Sequence, residues 1–232
     1  MRIHHVLAVS VTLAAVAIPG FGQHKASSDV AERLRAAETA FREIMSVPEN
    51  SIPVDLLQRA ECVAIVPGLK KGAFVVGAEY GRGFITCRKA GTKGWSAPAT
   101  VRVEGGSVGF QIGGGESDLF LLVMNQTGAN KLLQSQFKLG GEAAVMAGPV
   151  GREVTANTDA FMRAEMLGWS RSRGVFAGVA LEGTTLREDR DENRELYGRD
   201  LSNEQIIRGD VATPPAASPL ITSLSAYSPR EK

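Results

Sequence analysis

The sequence has only three histidines, and all of them, His4, His5 and His24, fall within its first 24 residues. No residue after His24 can therefore supply the imidazole of a Ser-His-Asp or Cys-His nucleophile arrangement, of a histidine-containing zinc site or of an HExxH helix. A GxxxxGK[ST] phosphate loop is missing too, and "GGSVGFQIGGGE" lacks the strand-glycine-helix setting of a dinucleotide site. Net charge is equally scarce. Twenty-six basic and 25 acidic residues leave +1, which does not give the strongly cationic footprint of a nucleic-acid binder. Glu116 and Asp118 lie close together on a hairpin-like run, where carboxylates are ordinarily solvated, so no catalytic residue is assigned. Neither a cofactor nor a metal is expected.

Cysteine is limited to Cys62 and Cys87. Their setting depends on the start of the chain, "MRIHHVLAVSVTLAAVAIPGFGQHK". It combines cationic Arg2, an apolar run from Val6 to Ile18, and Gly20 and Gly22 at the spacing of a signal-peptidase site. The run is shorter than the ~20 residues of a spanning helix. Residues 1–22 are read as a cleaved signal peptide, and the protein as exported, periplasmic or secreted. No cysteine stands at the cleavage point, so lipoprotein anchoring is not expected. An oxidising compartment makes Cys62 and Cys87 candidates for one disulfide. If they lay on strands either side of a common middle strand they would be too far apart to bond, and both would be small buried core residues instead.

From Asp29 to Val47, the residues Val30, Leu34, Ala37, Phe41, Ile44 and Met45 follow helical periodicity. The polar face mixes Asp29, Glu32, Glu38 and Glu43 with Arg33, Arg35 and Arg42, which favours packing on the domain over lying on anionic lipid. "SIPVDLLQRA" reads as a second short helix. Beyond Glu61 come short β-rich runs: Cys62 to Val66, Ala73 to Tyr80, Phe84 to Arg88, Ala99 to Glu104, Val108 to Ile112 and Leu119 to Met124. A helix is expected in "NQTGANKLLQSQ", and further strands in Ala143 to Ala147, Glu153 to Asn157, Phe161 to Trp169 and Val175 to Glu182, with a helix as the alternative for "AFMRAEMLGW". "REDRDENRELYGRDLSNEQIIRG" reads as solvated surface helices. The proline-, serine- and alanine-rich stretch 211–232 reads as a disordered tail. The expected fold is α+β: a mainly antiparallel, glycine-rich curled sheet with N-terminal helices and C-terminal surface helices.

Twelve glycines lie between Gly72 and Gly115, and glycine inside strands marks bulges, bends or close backbone approach. Bases cluster beside them. Arg59 to Arg102 carries eight bases and two acids, whereas 182–210 carries nine acids and five bases. "KGAF" at Lys71 is echoed by "RGVF" at Arg173, a base and a glycine entering a strand each time. Two exposed basic turns are expected.

"VAIVPGLKKGAFVVGAEYGRG", "GWSAPA", "GGSVGFQIGGGESDLFLLVMN", "AGPVGRE" and "WSRSRGVFAGVALEGTTLREDRDENRELYG" follow one another in an order that resembles the SYLF domain, over roughly residues 30 to 210. That domain is a lipid-binding module of bacterial exported proteins and eukaryotic actin-patch proteins. The resemblance implies a mixed, mainly antiparallel fold, no catalytic residues, and recognition of phosphoinositides or other anionic, phosphate-bearing head groups, with actin binding in some eukaryotic members. A SYLF-like domain is assigned to 29–210. The expectation is peripheral contact with anionic lipid through Lys70, Lys71, Arg171 and Arg173, with Trp169 as an interfacial anchor. The alternative is a protein-interaction or assembly module of the cell envelope using a sheet edge or the glycine-rich surface.

Overall fold

The computed structural model describes residues 27–73, 76–89, 94–108, 113–142, 144–151, 161, 163–172, 174–181 and 183–229. The expected signal peptide and the expected strand Glu153 to Asn157 lie outside them. Apolar residues recurring every three or four positions form helix α1 (Ser28–Met45), whose buried side is Val30, Leu34, Ala37, Ala40, Phe41, Ile44 and Met45. That stripe is buried against the domain, so it is not available to a bilayer. Helix α2 (Val54–Arg59) follows Pro53 and adds buried Leu56 and Leu57. No helix among the described residues is long and apolar enough to cross a membrane.

Four long strands form the centre: β1 (Cys62–Ala73), β2 (Val76–Cys87), β3 (Ala99–Val108) and β4 (Gly113–Val123). They are antiparallel and lie side by side in the order β3-β2-β1-β4. After helix α3 (Gln126–Leu132) come β5 (Gln136–Lys138), β6 (Val145–Ala147), β7 (Met166–Ser172), β8 (Val175–Gly178) and β9 (Thr184–Glu188). The full order is β5-β9-β3-β2-β1-β4-β7-β6, and β8 pairs with β7. Among the described residues, only β6 and β7 run parallel. The sheet is strongly curled and mostly antiparallel, an α+β arrangement. Helices α4 (Arg190–Tyr197), α5 (Asn203–Arg208) and α6 (Ser218–Tyr227) complete the chain.

Alternate residues of the central strands enter two cores. Val63, Ile65, Phe120, Leu122 and Trp169 meet α1 and α6 on one face. Ala64, Val66, Leu119, Leu121 and Val101 meet Phe137, Leu186 and Ile206 on the other. Each fully buried large side chain stabilises the fold by about 1.5–3 kcal/mol, so burial on both faces explains why β1 and β4 read as continuous apolar runs. Cys62 and Cys87 stand directly opposite each other on neighbouring β1 and β2, and they are disulfide-bonded.

Three expectations need correction. The first concerns Lys70 and Lys71, which do not form a turn. β1 bulges at Pro67–Gly68 and then continues to Ala73, with one extra residue relative to both neighbours. Gly68 takes φ 63° and donates its N–H to Asp118 Oδ1 at 3.0 Å. The bulge presses on β2, where a Cβ on Gly83 would stand 2.2 Å from the Ile65 carbonyl oxygen. The second concerns "VRVEGGSV", which is one continuous strand, because Gly105 and Gly106 stay paired with Glu79 and Ala78.

The third correction is the tail. Residues 215–227 are ordered, with a short 3-10 turn leading into α6. Ala217, Leu220 and Leu224 are buried in the core beneath α1, and Phe41 packs edge-on against Tyr227 at 5.7 Å. Pro219 sits in the first turn of α6, where its missing N–H costs nothing. The composition of the stretch concealed an apolar i, i+4 pair.

Candidate functional site

The predicted site residues do not form one cationic face. Adjacent strand residues point to opposite faces, so Lys70 lies on the side that carries α1, and Lys71 lies on the other. Lys71 pairs with Glu79 at 3.4 Å, and the same carboxylate accepts a hydrogen bond from Thr184. Lys70 is exposed and stands beside Glu116 in the β1–β4 register. Arg171 donates to Asp118 from Nε at 2.8 Å and from Nη2 at 2.6 Å, and also to Glu43 of α1. Burial opposes its charge, but these carboxylates outweigh that and hold its pKa above the ordinary arginine value. Arg173 lies outside the described residues. Trp169 cannot be an interfacial anchor. It is fully buried in the core, its indole lies against Gly148, and its Nε1 donates to the Pro149 carbonyl at 2.9 Å.

The run read as a solvated face holds a buried polar network instead. Asp189 caps α4, accepting from the Glu192 N–H. Glu192 and Asn193 face inward one turn before Leu196. Glu192 accepts two hydrogen bonds from Arg33 of α1, at 2.5 and 2.6 Å, and a third from Arg82 of β2 at 2.9 Å. Arg82 also lies 3.3 Å from Asp189. Burial works against the Arg82 charge, yet Glu192 and Asp189 raise its pKa above the usual arginine value. Asn193 accepts from the Thr100 N–H at 2.8 Å and donates to Asn203 on α5. Tyr197 donates to the Pro98 carbonyl at 2.6 Å, and burial pushes its phenol pKa well up. One signal was available in the sequence: Leu196 and Tyr197 mark the inward side of α4, and Glu192 and Asn193 fall on it at helical spacing.

At the other end of β1–β4, cross-strand rows can be read directly from the register. One row is Glu116, Lys70, Tyr80 and Glu104; the next is Gly115, Lys71, Glu79 and Gly105. Beyond these lie Gly114, Gly72, Ala78 and Gly106, then Gly113, Ala73, Gly77 and Ser107. Two successive rows across four strands therefore contain only glycine, alanine and serine. Gly72, Ala78, Gly106 and Gly115 are exposed, and among the described residues a Cβ added at Gly72 or Gly115 meets no atom within 4 Å. This bare backbone ribbon is flanked by Tyr80, which is 45% exposed. The Tyr80 hydroxyl accepts from Arg82 Nε at 2.8 Å, which ties it to the Glu192 network.

The chain belongs to the Ysc84 family, whose description is Las17-binding protein actin regulator; the family model matches residues 104–227, more than half of the sequence. It is 38% identical over 184 residues to LAS seventeen-binding protein 3 of Saccharomyces cerevisiae, covering 77% of this chain and 39% of the relative. It is 38% identical over 183 residues to SH3 domain-containing protein PJ696.02 of Schizosaccharomyces pombe, covering 77% and 42% respectively. It is 34% identical over 190 residues to human SH3 domain-containing YSC84-like protein 1, covering 81% and 55%. The chain thus spans about two fifths of the yeast relatives and about half of the human one. The family description and one of these three names are those of binding or regulatory proteins.

Proposed function

We propose that this chain is a non-enzymatic, protein-binding module that engages filamentous actin through the bare end of β1–β4. The observation that carries the reading is the pair of Gly/Ala/Ser rows, where Gly72, and Gly115 in the adjoining row, leave open space for a partner's backbone among the described residues. Tyr80 supplies an aromatic anchor beside them, of the type enriched at binding hot spots, and its bond to Arg82 holds it in place. The family description and the yeast relative's name, both of Las17-binding proteins, point the same way.

Electrostatics favour a protein over an anionic membrane. Lys70, Lys71 and Arg171 are accompanied by Glu116, Glu79, Asp118 and Glu43, four carboxylates to three cations. Each base near an anionic surface contributes about 1 kcal/mol of attraction only while it is not offset by acids. Lys70, Lys71 and Arg171 therefore provide no net cationic face.

Co-sedimentation tests the reading, with filamentous actin and anionic phospholipid vesicles as parallel probes. The chain is expected to pellet with filaments, to lose at least about fivefold in affinity on Tyr80→Ala, as a hot-spot anchor does, and to stay in the supernatant with vesicles. Pelleting with vesicles alone, lost at high salt and unchanged by Tyr80→Ala, would assign the surface to lipid.

A further inference from the structure

A cavity of about 720 Å3 opens at the opposite end of the central strands, between the disulfide, α3 and the end of α5. Its volume lies within the usual range of small-molecule sites. The Cys62–Cys87 bridge forms part of its wall. Arg88, Lys89 and Arg208 line it together with Glu61 and Asp210, three cations to two carboxylates. Lys89 reaches Asp210 at 3.4 Å, and Arg208 reaches Asn130 at 2.5 Å and pairs with Glu204 at 2.8 Å.

We infer that this cavity is a thiol-exchange site, which admits a small, anionic, peptide-like thiol to the disulfide while the protein stays folded. The mixed lining suits a molecule that carries carboxylates and an ammonium with net negative charge. The cations favour the thiolate, which is the attacking species. Both cysteines line the cavity, and of the two residues Cys87 keeps 5% of its surface exposed and Cys62 none, so the attack is assigned to Cys87.

The thiolate forms a bond to Cys87 Sγ as the Cys87–Cys62 bond breaks, and Cys62 leaves as a thiolate that takes a proton from water. A second thiolate attacks the bound thiol's sulfur, forming a small-molecule disulfide and releasing the Cys87 thiolate. Two thiols are oxidised and one protein disulfide is reduced.

The test uses the full chain at low salt, incubated with reduced glutathione or with cationic cysteamine at equal thiolate concentration, quenched with acid and mapped by mass spectrometry. Glutathione is expected to open the bridge about tenfold faster than cysteamine, since exposed charges act strongly at low ionic strength, and to leave its first adduct on Cys87. Lys89→Glu and Arg208→Glu should each slow glutathione and not cysteamine. Equal rates for the two thiols in the parent protein, reaction only after denaturant is added, or a first adduct on Cys62 would overturn the inference. The comparison of the two thiols needs no variant, so it stands even if a substitution disturbs folding.

Discussion

Arg33 and Glu192 lie 159 positions apart and are joined by two hydrogen bonds, at 2.5 and 2.6 Å, that fasten the first helix to α4. Glu192 is buried, and Arg82 also donates to it. Removing one partner of a buried ion pair typically costs about 3–5 kcal/mol. Arg33 and Arg82 retain 22% and 36% of their side-chain exposure, so the left-over cations are partly rescued by water. Glu192→Ala is therefore expected to cost about 2–3 kcal/mol, read from the urea midpoint. A double-mutant cycle with Arg33→Ala should return a coupling of about 1–2 kcal/mol; additive effects would show that the pair is not an energetic unit.

Two glycines of the same glycine-rich stretch should respond in opposite ways. Gly83→Ala forces a methyl against the Ile65 carbonyl and the Val66 Cα, and overpacking of this kind costs about 1–3 kcal/mol or more. Gly72→Ala meets open space and should change stability by less than about 0.5 kcal/mol. Thermal melts of the two variants check the pair, and equal losses would contradict the packing described for the bulge.

Much of the fold was legible because burial leaves a periodic trace. Val30, Leu34, Ala37 and Phe41 gave α1 its position, and the apolar runs at Val63 and Leu119 marked β1 and β4. What escaped were features in which composition and environment conflict. Lys70 and Lys71 looked like a turn because charge and glycine usually mark one, but the bulge at Gly68 absorbs the irregularity and the strand runs on. Trp169 was taken for a surface anchor because an indole suits an apolar-polar boundary; nothing local to the sequence shows that Gly148 and Pro149, twenty positions away, enclose it. Glu192 and Asn193 looked solvated because polar residues usually are, and their partners on α1, β2 and α5 are visible only in three dimensions.

The ordered C-terminal segment yields a direct prediction. Leu220 and Leu224 are buried under α1, and Ser228 accepts from the Trp95 indole N–H at 3.2 Å and, through its carbonyl, from Arg88 at 3.0 Å. At about 1.5–3 kcal/mol for each buried leucine, deleting 211–232 removes a large part of a typical domain stability of about 5–15 kcal/mol. The truncated chain should lose its cooperative melt or bind a hydrophobic dye. An unchanged melting curve would mean that the segment does not contribute to the core.

Tyr197 sets an alkaline limit. Burial raises its folded pKa above the ordinary value of about 10, whereas the unfolded chain titrates near that value. Its contribution is thus fully present below about pH 10 and is lost as pH rises beyond it toward the folded pKa, by up to about 1.4 kcal/mol per pH unit. Tyr197→Phe should be less stable at neutral pH, by about 1 kcal/mol for the lost bond to Pro98, and should show a flatter decline above pH 10. Denaturant midpoints measured across pH 8 to about 11 check this, and parallel curves for the two proteins would count against it.

The claim that the bare end of β1–β4 is the binding surface is tested most directly by amide hydrogen exchange, with the chain free and bound to filamentous actin. Protection is predicted at Lys70–Gly72, Ala78–Tyr80, Glu104–Gly106 and Gly115–Glu116, with α1, α4 and α5 unchanged. Protection centred on α1 or on α4 and α5, with those strand segments exchanging as in the free protein, would contradict the account.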